Sequence, residues 1–236
     1  MPALVTPLVP ISVASIYNNS ALPTRMAKCT PDTAIAIQGV VDDLRGIGHD
    51  LRLSDLFRSY EMQRQAHLDF VEGRKKAFSP PPGGSMHEAG RAMDIDLSSI
   101  GVTLADFWDI AKARGFLPII DAPISGRSES WHFDCRASHD AVYQYVKQGK
   151  AGASIAPYAQ MAHSGILAIG VQVDGLPDRT VGSVQAALIR LGFDPGRIDG
   201  VMGDRTLGAM RDAGVDADDP AGSVSSRLKE AFPGEF

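Results

Sequence analysis

The chain has 236 residues, room for one large domain or two smaller ones. Hydrophobic residues make up 44% and charged residues 22%, which excludes a disordered, collagen-like or coiled-coil chain, and no stretch approaches the 18 apolar residues of a membrane-spanning helix. The formal charge of −5 gives no general attraction to nucleic acid or anionic membranes, and two cysteines, Cys29 and Cys135, are too few for a disulfide scaffold.

Residues 1–28 have no charge before Arg25, and Pro2, Pro7 and Pro10 interrupt any apolar core, so they read as an extended arm rather than an export signal. Cys29 and Cys135 could pair in an exported protein; two buried free thiols are the plainer expectation. A helix is predicted over residues 31–49, with Thr30 as its cap, Pro31 in the first turn and Ile37, Val40, Val41, Leu44 and Ile47 at helical spacing. A strand over 51–57 and a polar helix over 61–76 follow. Residues 79–85 (SPPPGGS) exclude regular structure. Strands are predicted over 92–97, 116–120 and 130–134, and helices over 103–114, stopped by Gly115, and 138–148. Residues 149–170, rich in Ala, Gly and Ser, read as a linker that is at most partly helical. Beyond it Val184, Ala187, Leu188 and Leu191 form an amphipathic helix stopped by Gly192, with shorter helices over 206–212 and 223–232. The predicted organisation is thus an arm (1–28), a catalytic-sized domain (29–148), a linker (149–170) and a small helical module (171–236). The module carries 11 acidic and 7 basic residues, most of the net charge.

The informative segment is Ser85-Met86-His87-Glu88-Ala89-Gly90-Arg91-Ala92-Met93-Asp94-Ile95-Asp96, joined by Glu129-Ser130-Trp131-His132-Phe133. Two histidines and a carboxylate from separate segments suit an open zinc site, which takes three protein ligands and keeps a fourth position for water. Strand alternation puts Asp94 and Asp96 on one face, so either aspartate fits. His132 and Asp134 share a face as well, and Cys135 points away from it. Glu129, three residues before His132, is placed to move a proton as general base and acid. Arg58 is the candidate cation for the negative charge that develops on an attacked carbonyl. Each residue alone has a plainer role as a surface or core group; the argument rests on their co-occurrence. His49, His67, His139 and His163 lack such context, and Trp131 reads as a core residue.

The pattern S-x-H-x-x-G-x-A-x-D followed by E-x-W-H, met by Ser85, His87, Gly90, Ala92, Asp94, Glu129, Trp131 and His132, resembles the zinc D-Ala-D-Ala peptidases of the M15 type, a group that includes peptidoglycan-cutting endolysins. Phe57-Arg58-Ser59-Tyr60-Glu61-Met62-Gln63 resembles that family's Y-R-S-x-x-x-Q segment. The likeness spans residues 30–148. It implies an α+β fold with helices packed on a small antiparallel sheet, one zinc ion held by His87, Asp94 and His132, Glu129 as base and acid, Arg58 on the transition state, and Ser85 and Gln63 on the substrate.

The last unit resembles a three-helix peptidoglycan-binding module through Val184-Gln185-Ala186-Ala187-Leu188, Leu191-Gly192-Phe193, Ile198-Asp199-Gly200 and Gly203-Asp204-Arg205-Thr206. It departs from that pattern at Ala209-Met210-Arg211-Asp212-Ala213, where A-x-x-x-F-Q is usual. A plain helical cap is the structural alternative. Together the two likenesses imply a monomeric zinc hydrolase of peptidoglycan stem peptides, a carboxypeptidase or endopeptidase of endolysin type, tethered to the wall. With no signal segment in sight, the expected route is lysis or delivery by a phage or injection-machine particle. A catalytically inactive wall-binding protein is the alternative from another class; it requires a lost ligand or base, and none is lost. A zinc hydrolase of non-wall peptides is a third reading, which the wall-type module disfavours.

Overall fold

The structure, a computed structural model, describes residues 5–17 and 21–236. It divides into two compact units. One comprises residues 8–81 and 86–136; the other comprises residues 82–85 and 137–236 with the described part of residues 1–7.

The first unit is α+β. Short strands β1 (Val9–Pro10) and β2 (Lys28–Cys29) pair antiparallel, and Ser15 bridges Leu53. Val13, Leu22 and Met26 are buried in the core, so the expected arm from Leu8 onward is, where described, part of this unit; residues 1–4 and 18–20 lie outside the described residues. Helix α1 (Pro31–Gly46) starts where Pro31 suits the first turn and buries Ala36, Ile37, Val40, Val41 and Leu44 along one stripe. Thr30 takes the cap position, but its hydroxyl donates to Asp32 (2.6 Å) and lies 2.8 Å from the Thr33 hydroxyl instead of capping the backbone. Strand β3 (Leu53–Asp55) leads to helix α2 (Tyr60–Val71), capped by Ser59, whose hydroxyl accepts from the Met62 amide at 3.3 Å. Strand β4 (Ala92–Ile95) follows the proline-rich segment. Helix α3 (Leu104–Ala113), capped by Thr103, ends ahead of Gly115, whose φ of +89° a side chain would resist. Strands β5 (Phe116–Pro118) and β6 (His132–Cys135) complete an antiparallel sheet in the order β3-β4-β6-β5.

Alternation along β4 and β6 sorts this sheet. Met93, Ile95, Phe133 and Cys135 join the core with Ile37, Leu44 and Phe107, and the rings of Phe107 and Phe133 meet edge to face at 5.0 Å. The intervening residues Asp94, His132 and Asp134 take the other face, and they too are buried. Cys29 and Cys135 are both buried and are not joined by a disulfide.

The second unit is helical: α4 (Asp140–Lys147), α5 (Pro157–Ala168), α6 (Arg179–Arg190), α7 (Asp204–Asp212) and α8 (Pro220–Ala231). Helix α4 packs on α5 and α6, so the compact unit begins at Ala137 and not after residue 148. The stretch read as a linker contains α5, with Met161, Ala162 and Ile166 buried. Its small residues, among them Gly165 and Ala162, permit close helix packing while leaving little hydrophobic periodicity to read. Gln185 is the hub of the last module. Its amide donates to Asp199 Oδ1 (2.9 Å), the Val201 carbonyl (3.0 Å) and Thr206 Oγ1 (3.1 Å), and its Oε1 accepts from the amides of Asp199 (3.0 Å) and Gly200 (2.9 Å). The V-Q, I-D-G and threonine landmarks therefore hold one another in place.

Candidate metal centre

Two of the three expected ligands come from neighbouring strands. Asp94 on β4 stands directly opposite His132 on β6, which fixes their side chains as cross-strand neighbours. His87 comes from the turn before β4. Gly90, with φ +66°, closes that turn: its amide donates to the His87 carbonyl at 3.1 Å, and a Cβ there would lie 2.6 Å from Leu8 and 3.3 Å from the Cys29 backbone. The fixed glycine of the motif thus has a steric cause. Ala92, fully buried, opens the strand.

One ligand atom from each of His87, Asp94 and His132 can be chosen so that all lie within 4.8 Å of one another, and the three residues could hold a metal ion. His87 Nε2 lies 3.2 Å and His132 Nδ1 2.9 Å from the same oxygen, Asp94 Oδ1. His87 Nδ1 is 2.7 Å from the Leu56 carbonyl, an acceptor only, so Nδ1 carries a proton and Nε2 is the nitrogen directed into the pocket. Two imidazole nitrogens and one carboxylate, buried and convergent, match the donor set of an open zinc site.

The electrostatics follow from this crowding. Burial opposes ionisation of Asp94, but His87 and His132 outweigh it and hold the carboxyl well below the usual range. Burial likewise disfavours a charged His132, yet Asp134 and Asp94, one at each ring nitrogen, raise it to about 10. Asp96, the other candidate, has left the strand, and its carboxylate accepts from the Ser98 amide (3.1 Å) and hydroxyl (2.6 Å). Arg91 pairs with Asp32, at 2.8 and 3.1 Å, and not with Asp94.

Arg58 lies beside the ligands: its Nη2 donates to Asp94 Oδ2 at 3.4 Å and its Nε to Asp55 Oδ2 at 2.6 Å. Burial works against its charge, but Asp55, Asp94 and Glu129 raise its pKa further. Glu129 is half-buried in the loop before β6, within reach of the charges of His132, Asp94, Lys75 and His87. Burial raises its carboxyl above the ordinary value, and His132 only partly offsets this. Its backbone is left-handed, φ +66°, a conformation costly to a residue with a Cβ and concentrated at functional sites.

The two expected substrate contacts, Gln63 and Ser85, are both buried. Gln63 has no exposed surface. Its Oε1 accepts from Arg58 Nη1 at 3.2 Å, and its amide donates to Ser79 Oγ (3.3 Å) and the Pro80 carbonyl (2.6 Å). These contacts tie Arg58 to the proline-rich segment. Ser85 is buried within residues 82–85, which belong to the other compact unit. Three site residues escaped the sequence reading in their roles. Asp55 steadies Arg58 and carried only the faint signal of an acid three positions upstream. The Leu56 carbonyl carries no side-chain signal at all. Asp134, whose shared face with His132 was visible, lies 2.9 Å from His132 Nε2. Of the remaining histidines, His67 Nδ1 meets the Ser79 carbonyl (2.8 Å) and His139 Nδ1 the Ser164 hydroxyl (2.8 Å). Trp131 packs against the core.

No protein-family model and no curated protein matches the sequence. Among solved structures the chain is similar to the LdcB LD-carboxypeptidase, at 21% identity and a TM-score of 0.43 over 54% of this chain and 66% of that one, so it spans just under two-thirds of that protein. It is similar also to the vancomycin-resistance D,D-pentapeptidase VanY in complex with Zn(II), at 19% identity and a TM-score of 0.38 over 52% of this chain and 78% of that one. A third likeness is to the L,D-carboxypeptidase DacB from Streptococcus pneumonia, at 21% identity and a TM-score of 0.35 over 55% of this chain and 84% of that one.

Proposed function

We propose that this chain is a zinc peptidase that hydrolyses peptide bonds in peptidoglycan stem peptides. The observation that carries the reading is the convergence of His87, Asp94 and His132 to within 4.8 Å in a buried pocket, with a glutamate and an arginine beside them. The order and spacing of the motif residues support the substrate class. Zinc, when bound, supplies Lewis acidity and makes water a stronger acid, with a pKa of about 7. His87 and His132 would hold the ion through imidazole nitrogens, and Asp94 would supply the anionic ligand. Glu129 takes the proton of the attacking water and returns it to the leaving amine; a carboxyl raised by burial suits both halves of that cycle near neutral pH. Arg58, held by Asp55 and Gln63, faces the negative charge that develops on the attacked carbonyl oxygen.

The reading extends to the second unit, whose landmark residues build a compact helical module. Docked on the wall polymer, that module would raise the local concentration of stem peptides at the site without altering its chemistry. The setting is the bacterial wall, reached by lysis or with a phage or injection particle, as for an endolysin acting as a monomer. Digestion of purified muropeptides followed by mass spectrometry tests the proposal. A zinc-dependent mass change that identifies one cleaved peptide bond is expected, with loss of that product in Glu129→Ala. Unaltered muropeptides with the zinc-loaded wild-type protein, or full hydrolysis by Glu129→Ala, would contradict it.

A further inference from the structure

We infer that Asp134 is a positioning residue that decides which ring nitrogen His132 offers to the metal. The inference rests on the zinc reading of the site and deepens it. Asp134 lies on β6 two residues beyond His132, so both side chains rise from the same face of the strand, and the carboxylate reaches the far edge of the imidazole: Oδ1 is 2.9 Å from Nε2. It is completely buried, where a carboxylate is costly unless held by hydrogen bonds. Its other oxygen faces Arg136 Nε at 3.8 Å.

A carboxylate only accepts, so Asp134 holds a proton on Nε2; Nδ1 is then the nitrogen that faces Asp94, where a bound metal would take the place of its proton. His87 is fixed the opposite way, with its Nδ1 proton on the Leu56 carbonyl and Nε2 facing inward. The two imidazoles therefore present different nitrogens, one set by a neutral backbone acceptor and one by an anion. The anion also strengthens His132 as a donor, the general consequence of a carboxylate behind a ligating histidine. Neither half of the sequence pattern E-x-W-H calls for an acid at this position; the register of β6 supplies it.

The test uses the full chain and Zn²⁺ alone, titrated against a chelator of known affinity, in wild type, Asp134→Asn, Asp134→Ala and His87→Ala. Removing Asp134 is expected to weaken zinc binding about 10- to 100-fold, while His87→Ala abolishes stoichiometric binding. A merely structural Asp134 would lower the melting temperature of the metal-free protein and leave zinc affinity within twofold, which would overturn the inference while sparing the zinc reading. Retention of zinc by His87→Ala would overturn that reading itself, and this inference with it. Should the Asp134 variants fail to fold, ¹⁵N spectra of the zinc-loaded wild type decide: a slowly exchanging proton on Nε2 of His132 is expected, and a proton on Nδ1 would refute the assignment.

Discussion

The backbone of Glu129 offers a test that separates catalysis from strain. Its φ of +66° is left-handed, and Ala137 at +45° is the other non-glycine residue in that region among the described residues. The left-handed conformation costs a residue with a Cβ about 1–2 kcal/mol, and the extra unfolded-state freedom of glycine gives back roughly 0.5–1 kcal/mol. From the midpoints of these ranges, Glu129→Gly should therefore be about 0.75 kcal/mol more stable than Glu129→Ala, although both lack the carboxylate. For a unit of this size that corresponds to a rise of roughly 2–5 °C in melting temperature. Both variants should lose about 10²- to 10⁴-fold in peptidase turnover, the usual contribution of a general base. Ala137→Gly should show a similar gain in stability with turnover unchanged. Thermal unfolding of zinc-saturated protein, followed by circular dichroism, measures the difference. Equal melting temperatures for Glu129→Gly and Glu129→Ala would show that the site holds no backbone strain at this residue.

Other consequences follow from single contacts. Arg58→Ala should lower kcat about 10²- to 10³-fold through lost charge stabilisation while leaving zinc stoichiometry intact; a change in KM alone would assign Arg58 to substrate binding instead. Burial, which raises Glu129, places the acidic limb of the kcat/KM profile above the ordinary glutamate range; the base form is lost as pH falls through that raised value, so a limb at or below the ordinary value would contradict the assignment. Burial, with Asp32 and Cys135 adding to it, pushes the Cys29 thiol up to about 12, so native protein at pH 7.5 should resist alkylation there until unfolded, as peptide mapping would show. Gln185→Ala removes the hub of the C-terminal module and leaves the buried Gly200 amide without its acceptor. A loss of about 2–4 kcal/mol is expected, read as faster hydrogen exchange across residues 179–212, and unchanged exchange would refute the hub role.

Much of this site was legible because its chemistry follows the chain's own periodicities. The pair Asp94 and His132 was readable as two strand positions, but alternation alone left Asp94 and Asp96 equivalent; the strand ends at Ile95, so only Asp94 stays in register with His132. The same alternation placed His132 and Asp134 on one face, whereas their hydrogen bond depends on ring orientation, which no pattern encodes. The role of Gln63 came only from the family resemblance, and its contacts with Arg58, Ser79 and Pro80 are tertiary ones that no periodicity encodes. Helix α5 was legible only as a partly helical linker because alanine, glycine and serine allow close packing without advertising an apolar face. The extended arm was read from its prolines, which exclude helix but say nothing of docking; burial of Val13, Leu22 and Met26 is a tertiary outcome.

Everything catalytic here depends on His87, Asp94 and His132 acting as one metal site. The direct measurement is metal content: elemental analysis of the full chain after equilibration with zinc and dialysis, beside the three single alanine variants. One zinc ion per chain in the wild type, falling close to zero in His87→Ala, Asp94→Ala and His132→Ala, is the predicted result. Wild-type protein that emerges without zinc, or variants that keep the full complement, would contradict the account at its root.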